Sequence, residues 1–471
     1  DDENYERVEG NGAVVCWAED DEDFEALRGL LEAADVVVDA LLGVGVRLPL
    51  RGSLLSLLDA TRDALAERCQ SSSLALSVPP RVEWGQPLVV AVDCPTGLDA
   101  DTGELDPAAL RADITVTFAY PKMGLLRFPG ADAVGHLIVA DIGIPPELAE
   151  GIDLEMVTAD RVREWLPARS DRAHKGTFGR VLIVAGSANY VGAAALSGAG
   201  ARRVGAGLVT MALPVPIQPA VAAQLPEATY VLLPHDLGVV AKGAVAVLRE
   251  QLSDYEYAAL LVGPGLTQEK ATGDFVHTFL GLNRDERKGR IGFLAGTGDE
   301  EEAGISLPPL IVDADGLNIL AATDGWWRAL PPETVITPHP GEMARLVGGD
   351  MTAGDVQADR IGIARRRAAA WNVVLVLKGA HTVIAAPDGR VMVSPFANAG
   401  LATAGTGDVL AGAVAGLRAQ GLGAFEAAVG GVYVHGLAGE LARTELGEMG
   451  MVAGDLPPRL PLALWRVRRE R

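Results

Sequence analysis

Asn398-Ala399-Gly400-Leu401-Ala402-Thr403-Ala404-Gly405-Thr406-Gly407-Asp408 runs directly into the apolar stretch Val409–Gln420. Small residues crowd the chain just before a stretch that reads as a helix. Backbone N–H groups can therefore converge where the helix dipole is positive, which makes an anion hole suited to a phosphate. Asp408 falls in the first helical turn and points into the same hole. A carboxylate beside a phosphate site can act as the base for an attacking hydroxyl. Taken alone, Gly-x-Gly-Asp also describes a capped helix behind a glycine-rich loop, so the neighbouring sequence has to decide.

Four further signatures stand around it. Short β-branched and apolar runs predict strands over Arg180–Ala185, Gly207–Ala212, Ala258–Val262, Leu310–Val312, Thr334–Thr337 and Val373–Leu377, with helical stretches between them. That alternation predicts a doubly wound α/β sheet, in which ligands bind at the carboxyl ends of strands. Gly263-Pro264-Gly265 closes one strand. Val312-Asp313-Ala314-Asp315-Gly316-Leu317-Asn318 puts two carboxylates and an amide at the end of another. Thr337-Pro338-His339-Pro340-Gly341-Glu342 holds a histidine rigidly between prolines. Lys378-Gly379-Ala380-His381-Thr382 sets a cation and donors where a nucleotide could sit. Each motif alone has an ordinary structural reading. Together, at successive strand ends, they are hard to explain by packing.

Upstream, the texture is similar but separate. Strands are predicted at Val36–Asp39, Leu88–Asp93, Ile114–Phe118 and His136–Asp141, with a helix over Ser53–Arg68, which is a βαβ rhythm. Asp39-Ala40-Leu41-Leu42-Gly43-Val44-Gly45 and Asp93-Cys94-Pro95-Thr96-Gly97 each place a carboxylate at a strand end beside a glycine turn. The expected fold class is α/β throughout. A partial Rossmann-like three-layer domain over residues 1–155 precedes a doubly wound domain over 156–471. Residues 70–87 read as an inserted loop and 283–306 as a long polar, mobile loop of open role.

Composition bounds the function. At about 150 residues per domain, 471 residues predict two or three domains. Forty basic against 62 acidic residues give a net charge of −22, which argues against a nucleic-acid partner. Three cysteines without a pairing pattern argue against a disulfide scaffold and fit a cytoplasmic protein. The uncharged stretches Val181–Ala201 and Val204–Pro226 are broken by glycines or prolines, so no membrane span is expected. The chain begins Asp-Asp-Glu with no basic-plus-apolar leader, and the missing Met points to a true N-terminus not shown.

His174-Lys175-Gly176, the run Gly179-Arg180-Val181-Leu182-Ile183-Val184-Ala185-Gly186-Ser187 and Ala206-Gly207-Leu208-Val209-Thr210 join the motifs above in a familiar order. From about Ala159 to Leu464 the chain resembles the NAD(P)H-hydrate dehydratase branch of the ribokinase-like superfamily. The resemblance implies nucleotide-dependent dehydration of the S epimer of hydrated NADH and NADPH, with ADP favoured over ATP, AMP and phosphate released if ADP is used, and Mg2+ accompanying the nucleotide. It implies that Lys378, Gly379, Ala380, His381, Thr382, Gly405, Thr406 and Gly407 contact the nucleotide. It also implies that Ala193, Gly265, His339 and Asp408 contact the hydrate, with Asp408 catalytic.

Residues 14–150, with Thr117-Phe118-Ala119-Tyr120-Pro121-Lys122 and Asp141-Ile142-Gly143-Ile144-Pro145, resemble the NAD(P)H-hydrate epimerase domain, which interconverts the R and S hydrates. By that resemblance Asp39 and Thr96 are potassium ligands. Gly43, Val44, Gly45, Val46, Arg47, Leu48, Pro49 and Asp93 bind hydrate, and Asp93 transfers protons. Thr96 stands where that family has Ser. Its Asn-Asn-Gly-Gly-Asp-Gly loop is not found here, so the reading is an N-terminally truncated or decayed epimerase half of weak or no activity. A homo-oligomer is expected. The competing reading is a ribokinase-like small-molecule kinase with a non-catalytic N-terminal binding or assembly domain.

Overall fold

A computed structural model describes residues 3–71, 87–282 and 306–469. The loops read at 70–87 and 283–306 lie almost wholly outside the described residues. The chain divides into two compact units, Asp1–Gly151 and Ile152–Arg471. The division falls ahead of the 155/156 boundary read from the sequence, because Leu154–Met156 forms a strand of the second unit's sheet.

In the first unit, β1 (Val36–Asp39), β2 (Leu88–Val92), β3 (Ile114–Phe118) and β4 (His136–Ala140) form a parallel sheet in the order β1-β2-β3-β4. Side chains alternate between faces with period two. Val89, Ala91 and Ala112 pack with Val37 and with Leu65 of the helix Ser53–Ser71. The opposite face carries half-buried Val90, Ile114 and Val116 and exposed Val36, Val38 and Ile138. The sheet is of Rossmann-like type, as expected.

The second unit contains β5 (Leu154–Met156), β6 (Arg180–Val184), β7 (Leu208–Pro214), β8 (Thr229–Leu233), β9 (His235–Asp236), β10 (Val239–Val240), β11 (Ala259–Val262), β12 (Leu310–Val312), β13 (Val335–Ile336), β14 (Val374–Leu377), β15 (Val383–Ala385) and β16 (Val391–Val393). Among the described residues, β9 and β10 pair as a hairpin and the rest form one sheet in the order β5-β16-β15-β14-β13-β12-β11-β6-β7-β8. From β14 to β8 every pairing is parallel, and β15 runs antiparallel to both neighbours. The chain leaves β6 for β7 and β8, then returns to β11 on the other side of β6. That reversal is a topological switch point, where an open sheet leaves a crevice for ligands at its carboxyl edge.

The central strands are buried on both faces, which explains their unbroken apolar sequence. The two uncharged stretches resolve into strand plus helix. Among the described residues no helix is long and apolar enough to cross a membrane.

Glycines set the closest helix packing. A Cβ at Gly412, in the helix Thr406–Ala419, would collide with the Ser197 carbonyl of the helix Val191–Arg203. A Cβ at Gly200 would strike the Val409 carbonyl, and one at Gly416 the Ala201 carbonyl. Backbone therefore packs on backbone along this crossing, and the start of Thr406–Ala419 is held against the switch point.

Candidate active site

The helix Thr406–Ala419 begins from Gly405 at φ 93°, a left-handed conformation that glycine adopts without strain. Thr406 Oγ1 donates to the carbonyls of Leu401 and Thr403, 2.9 and 3.0 Å away, and so folds the glycine-rich loop onto the helix end. His435 Nε2 lies 3.0 Å from the Thr406 carbonyl. A carbonyl only accepts, so this nitrogen carries the proton. Burial pushes the His435 pKa down to about 4, leaving the ring neutral.

Lys378 follows β14, and a Cβ at Gly407 would stand 3.4 Å from its Nζ, so the ammonium faces the helix start. Lys378 Nζ donates to Asp313 Oδ1 at 2.6 Å and lies 3.7 Å from Glu342 Oε2. Asp313, at the end of β12, is 1% exposed, and its Oδ1 also accepts from Thr337 Oγ1 at 2.7 Å. Its Oδ2 is buried without a hydrogen-bond partner. Burial pulls the Lys378 ammonium down, but Asp313 and Glu342 outweigh it and its pKa is raised. Asp408 stands among these groups. Burial, then Asp313, push its carboxyl up to about 7, with Lys378 opposing. Burial likewise raises Glu342.

Glu342 is placed by its helix, Pro340–Val347. Its Oε2 accepts from the His339 N–H at 2.8 Å, while His339 Nδ1 accepts from the Gly341 N–H at 3.0 Å. His339 is thereby neutral at Nδ1, and its pKa is lowered by burial and by Lys378. The backbone is strained beside these groups: Ala314 has φ 52° and His381 φ 49°.

Ala193 and Gly265 meet at the switch point, where a Cβ on Gly265 (φ 64°) would press on Ala193 and Tyr190. The Gly265 loop is tied to Asp315, whose Oδ2 accepts from the Thr267 N–H at 2.8 Å.

Lys378, Gly379, Ala380, Thr382, Thr406 and Gly407 line one cavity of about 190 Å³. Phe396, Asn398, Leu401, Leu410, Val432 and His435 also belong to its wall. His381 differs from its neighbours: its buried ring approaches the Ser394 carbonyl, 3.2 Å away, and does not line the cavity. Arg360, unremarkable in a basic stretch of sequence, donates to the carbonyls of Leu377 and Lys378 and supports the Lys378 turn from behind. Burial lowers its pKa to about 10.

In the first unit, Asp39 and Thr96 come together from 57 residues apart. Thr96 N and Oγ1 donate to Asp39 Oδ2 and Oδ1 at 2.8 and 2.6 Å, and both residues are buried. Oxygen donors suit a hard cation, yet both carboxylate oxygens are already engaged by Thr96. Among the described residues no group of three or more His, Cys, Asp or Glu could hold a metal. In the segment 43–49, Val46 and Leu48 pack on the core, while Gly43, Val44, Gly45, Arg47 and Pro49 are exposed.

Asp93, at φ 65°, accepts at Oδ1 from the Phe118 N–H at 2.9 Å, from Thr117 Oγ1 and from Lys122 Nζ. Burial would raise its carboxyl, but Lys122 and the Phe118 N–H prevail and its pKa is lowered. Lys122 stood in a quoted motif without a role. It pairs with Asp93 across a strand-end turn.

A family profile described as NAD(P)H-hydrate dehydratase matches residues 181–461. This chain belongs to the NAD(P)H-hydrate dehydratase family. A second profile, described as YjeF-related protein N-terminus, matches residues 2–124. The bifunctional NAD(P)H-hydrate repair enzyme Nnr of Moorella thermoacetica is 40% identical over 440 residues, spanning 93% of this chain and 74% of that protein. The Escherichia coli enzyme of that name is 33% identical over 428 residues, covering 90% and 70%. The ADP/ATP-dependent NAD(P)H-hydrate dehydratase of Bacillus subtilis, co-crystallised with ATP/Mg2+, superposes with a TM-score of 0.53 at 31% identity, covering 67% of this chain and 100% of that one.

Proposed function

We propose that this chain repairs hydrated NADH and NADPH, its second unit dehydrating the S epimer at the expense of a nucleotide, ADP in preference to ATP. The reading is carried by the placement of Asp408 in the first turn of Thr406–Ala419, among Lys378, Asp313 and Glu342, where burial and Asp313 push its carboxyl up to about 7.

In this reading the nucleotide's phosphates lie against Lys378 and the N–H groups of residues 405–407. Ala193, Gly265 and His339 border the hydrate. Ionised Asp408 takes the proton of the ring hydroxyl as its oxygen attacks the terminal phosphorus. The bond to the departing nucleotide phosphate breaks, and Lys378 with the helix-start amides balances the charge. The phosphorylated oxygen then leaves as phosphate, driven by the ring-nitrogen lone pair. Loss of a proton from the adjacent ring carbon restores the dihydronicotinamide. With ADP the products are the reduced nucleotide, AMP and phosphate. Mg2+ would be held by one or two carboxylates and would offset charge on the nucleotide's phosphates. The unpartnered Oδ2 of Asp313 fits that chemistry.

To the first unit we assign the epimerase role at weak activity, because the family's Asn-Asn-Gly-Gly-Asp-Gly loop is not found in this sequence, with Asp93 and Lys122 holding the transferable proton and the 43–49 segment bordering the hydrate. Asp39 and Thr96 would hold potassium if the cation displaced their mutual hydrogen bond. A cytoplasmic homo-oligomer completes the proposal.

The test is turnover of both hydrate epimers with Mg2+ and either ADP or ATP, followed by recovery of reduced-nicotinamide absorbance. Nucleotide-dependent recovery is expected. Accumulation of a stable phosphorylated alcohol instead would favour a kinase.

A further inference from the structure

Arg345 lies in the second turn of the helix Pro340–Val347. Helical side chains lean towards the N-terminus, so its guanidinium comes back over the first turn. A Cβ at Gly341 would stand 3.8 Å from Arg345 Nη1 and 2.9 Å from His339 Cε1. The guanidinium and the His339 ring therefore flank one spot. Arg345 Nε donates to Asn318 Oδ1 at 2.9 Å, on the neighbouring helix Asp315–Ala321. That amide holds the guanidinium in place but brings no charge. Among the described residues, Arg345 is exposed and has no ion pair, so its two terminal nitrogens face solvent as an uncompensated fork of donors. Its charge works against protonation of both His339 and Glu342.

Arg345, Asn318 and Gly341 line a groove of about 620 Å³, whose other walls include the small residues Ala321, Ala344 and Gly348. The groove continues the site outward. Lys378 Nζ lies 3.7 Å from Glu342 Oε2, and Glu342 Oε1 lies 3.5 Å from His339 Nε2. Arg345 is the next charge beyond His339. A hydrate with its nicotinamide ring at Asp408 must send the rest of the dinucleotide away from the nucleotide cavity, and this groove offers width for a flat ring and a cation for a phosphate.

We propose that Arg345 pairs with a phosphate of the hydrated dinucleotide and that the groove beside it takes the adenosine end. The proposal rests on the dehydratase reading and deepens it. The phosphate is either the 2′-phosphate of the NADPH form or the pyrophosphate that both forms share, and guanidinium suits each.

Steady-state turnover of the full chain tests it, with Mg-ADP and the S hydrates of NADPH, NADH and reduced nicotinamide mononucleotide, which lacks adenosine. The parent chain should use the mononucleotide hydrate at least about tenfold less well in kcat/KM than either dinucleotide hydrate. Arg345→Gln should lower kcat/KM by about tenfold or more, the size of a lost charge-assisted hydrogen bond, with the loss in KM for hydrate and none in KM for ADP. Arg345→Lys keeps the charge without the fork and should fall between. A loss confined to NADPH hydrate assigns the 2′-phosphate, and an equal loss for both dinucleotide hydrates assigns the pyrophosphate. Parent turnover of the mononucleotide hydrate as fast as the dinucleotides would overturn the proposal and leave the dehydratase reading intact, whether or not the variants fold. Unchanged KM for both dinucleotide hydrates in Arg345→Gln, or an equal rise in KM for ADP, would also overturn it. No turnover of any hydrate by the parent would defeat both readings.

Discussion

Asp408 shows how a single carboxyl acquires a function from its surroundings. Held near pH 7 by burial and by Asp313, it carries a proton below that value and is free to accept one above it. kcat/KM is therefore expected to rise with pH and level off above about 7. Asp408→Asn should lower turnover by at least about 100-fold, the lower end of general-base contributions. The same shift costs stability. Between the ordinary carboxyl range and pH 7 the folded chain holds a proton that the unfolded chain has released, so stability falls as pH rises through that window. Asp408→Asn is then more heat-stable than the parent at pH 8, and the gap closes as pH falls towards 4. Thermal melts at the two pH values would check this, and a less stable variant at pH 8 would contradict it. Lys378 gives the complementary case. Replacing it by Met leaves Asp313 and Glu342, 1% and 6% exposed on their side chains, without their counter-charge. A loss of about 3–5 kcal/mol in urea unfolding at pH 8 is expected, with weaker nucleotide binding.

At the scale of elements, the site depends on how closely two helices approach. Gly200, Gly412 and Gly416 let Thr406–Ala419 lie backbone to backbone against Val191–Arg203, the helix that carries Ala193. Gly412→Ala adds one methyl group to a contact with no room for it. The helices must part, at a cost of about 1–3 kcal/mol, and the anion hole moves away from the loop at Gly265. Turnover should fall together with the melting temperature, although residue 412 touches no substrate. Much of this layout is legible locally. The glycine-rich loop, its helix and the β14 strand before Lys378 all stand where sequence patterns put them. The β15–β16 hairpin beyond β14 was not anticipated, although Pro387-Asp388-Gly389 between its strands is a turn signal. Three-residue strands are too short for an alternation pattern to register.

Across the whole molecule, the two units have separate sheets and separate cores. Every group assigned to dehydration lies in Ile152–Arg471, so that segment alone is expected to dehydrate hydrate within about twofold of the full chain's rate. Recovery from a mixture of epimers should stop once the S form is consumed, apart from spontaneous interconversion. A fragment that folds but is inactive would mean that the first unit contributes to the dehydratase site. In the full chain, Asp93→Asn should slow consumption of the R form and leave the S form unaffected. Equal rates for both forms in parent and variant would remove the epimerase assignment.

What the sequence determined by itself is whatever a short window encodes: buried strands from continuous β-branched runs, the anion hole from small residues before a helix, and the order of motifs that marks the family. The tertiary structure alone decided what depends on charges meeting across the chain. Asp313 and Lys378 are 65 residues apart, Asp39 and Thr96 are 57 apart, and His435 reaches back 29 residues to Thr406. Burial and the fields of such neighbours set whether Asp408 holds a proton near neutrality. Those quantities depend on distances through space, which spacing along the chain does not encode.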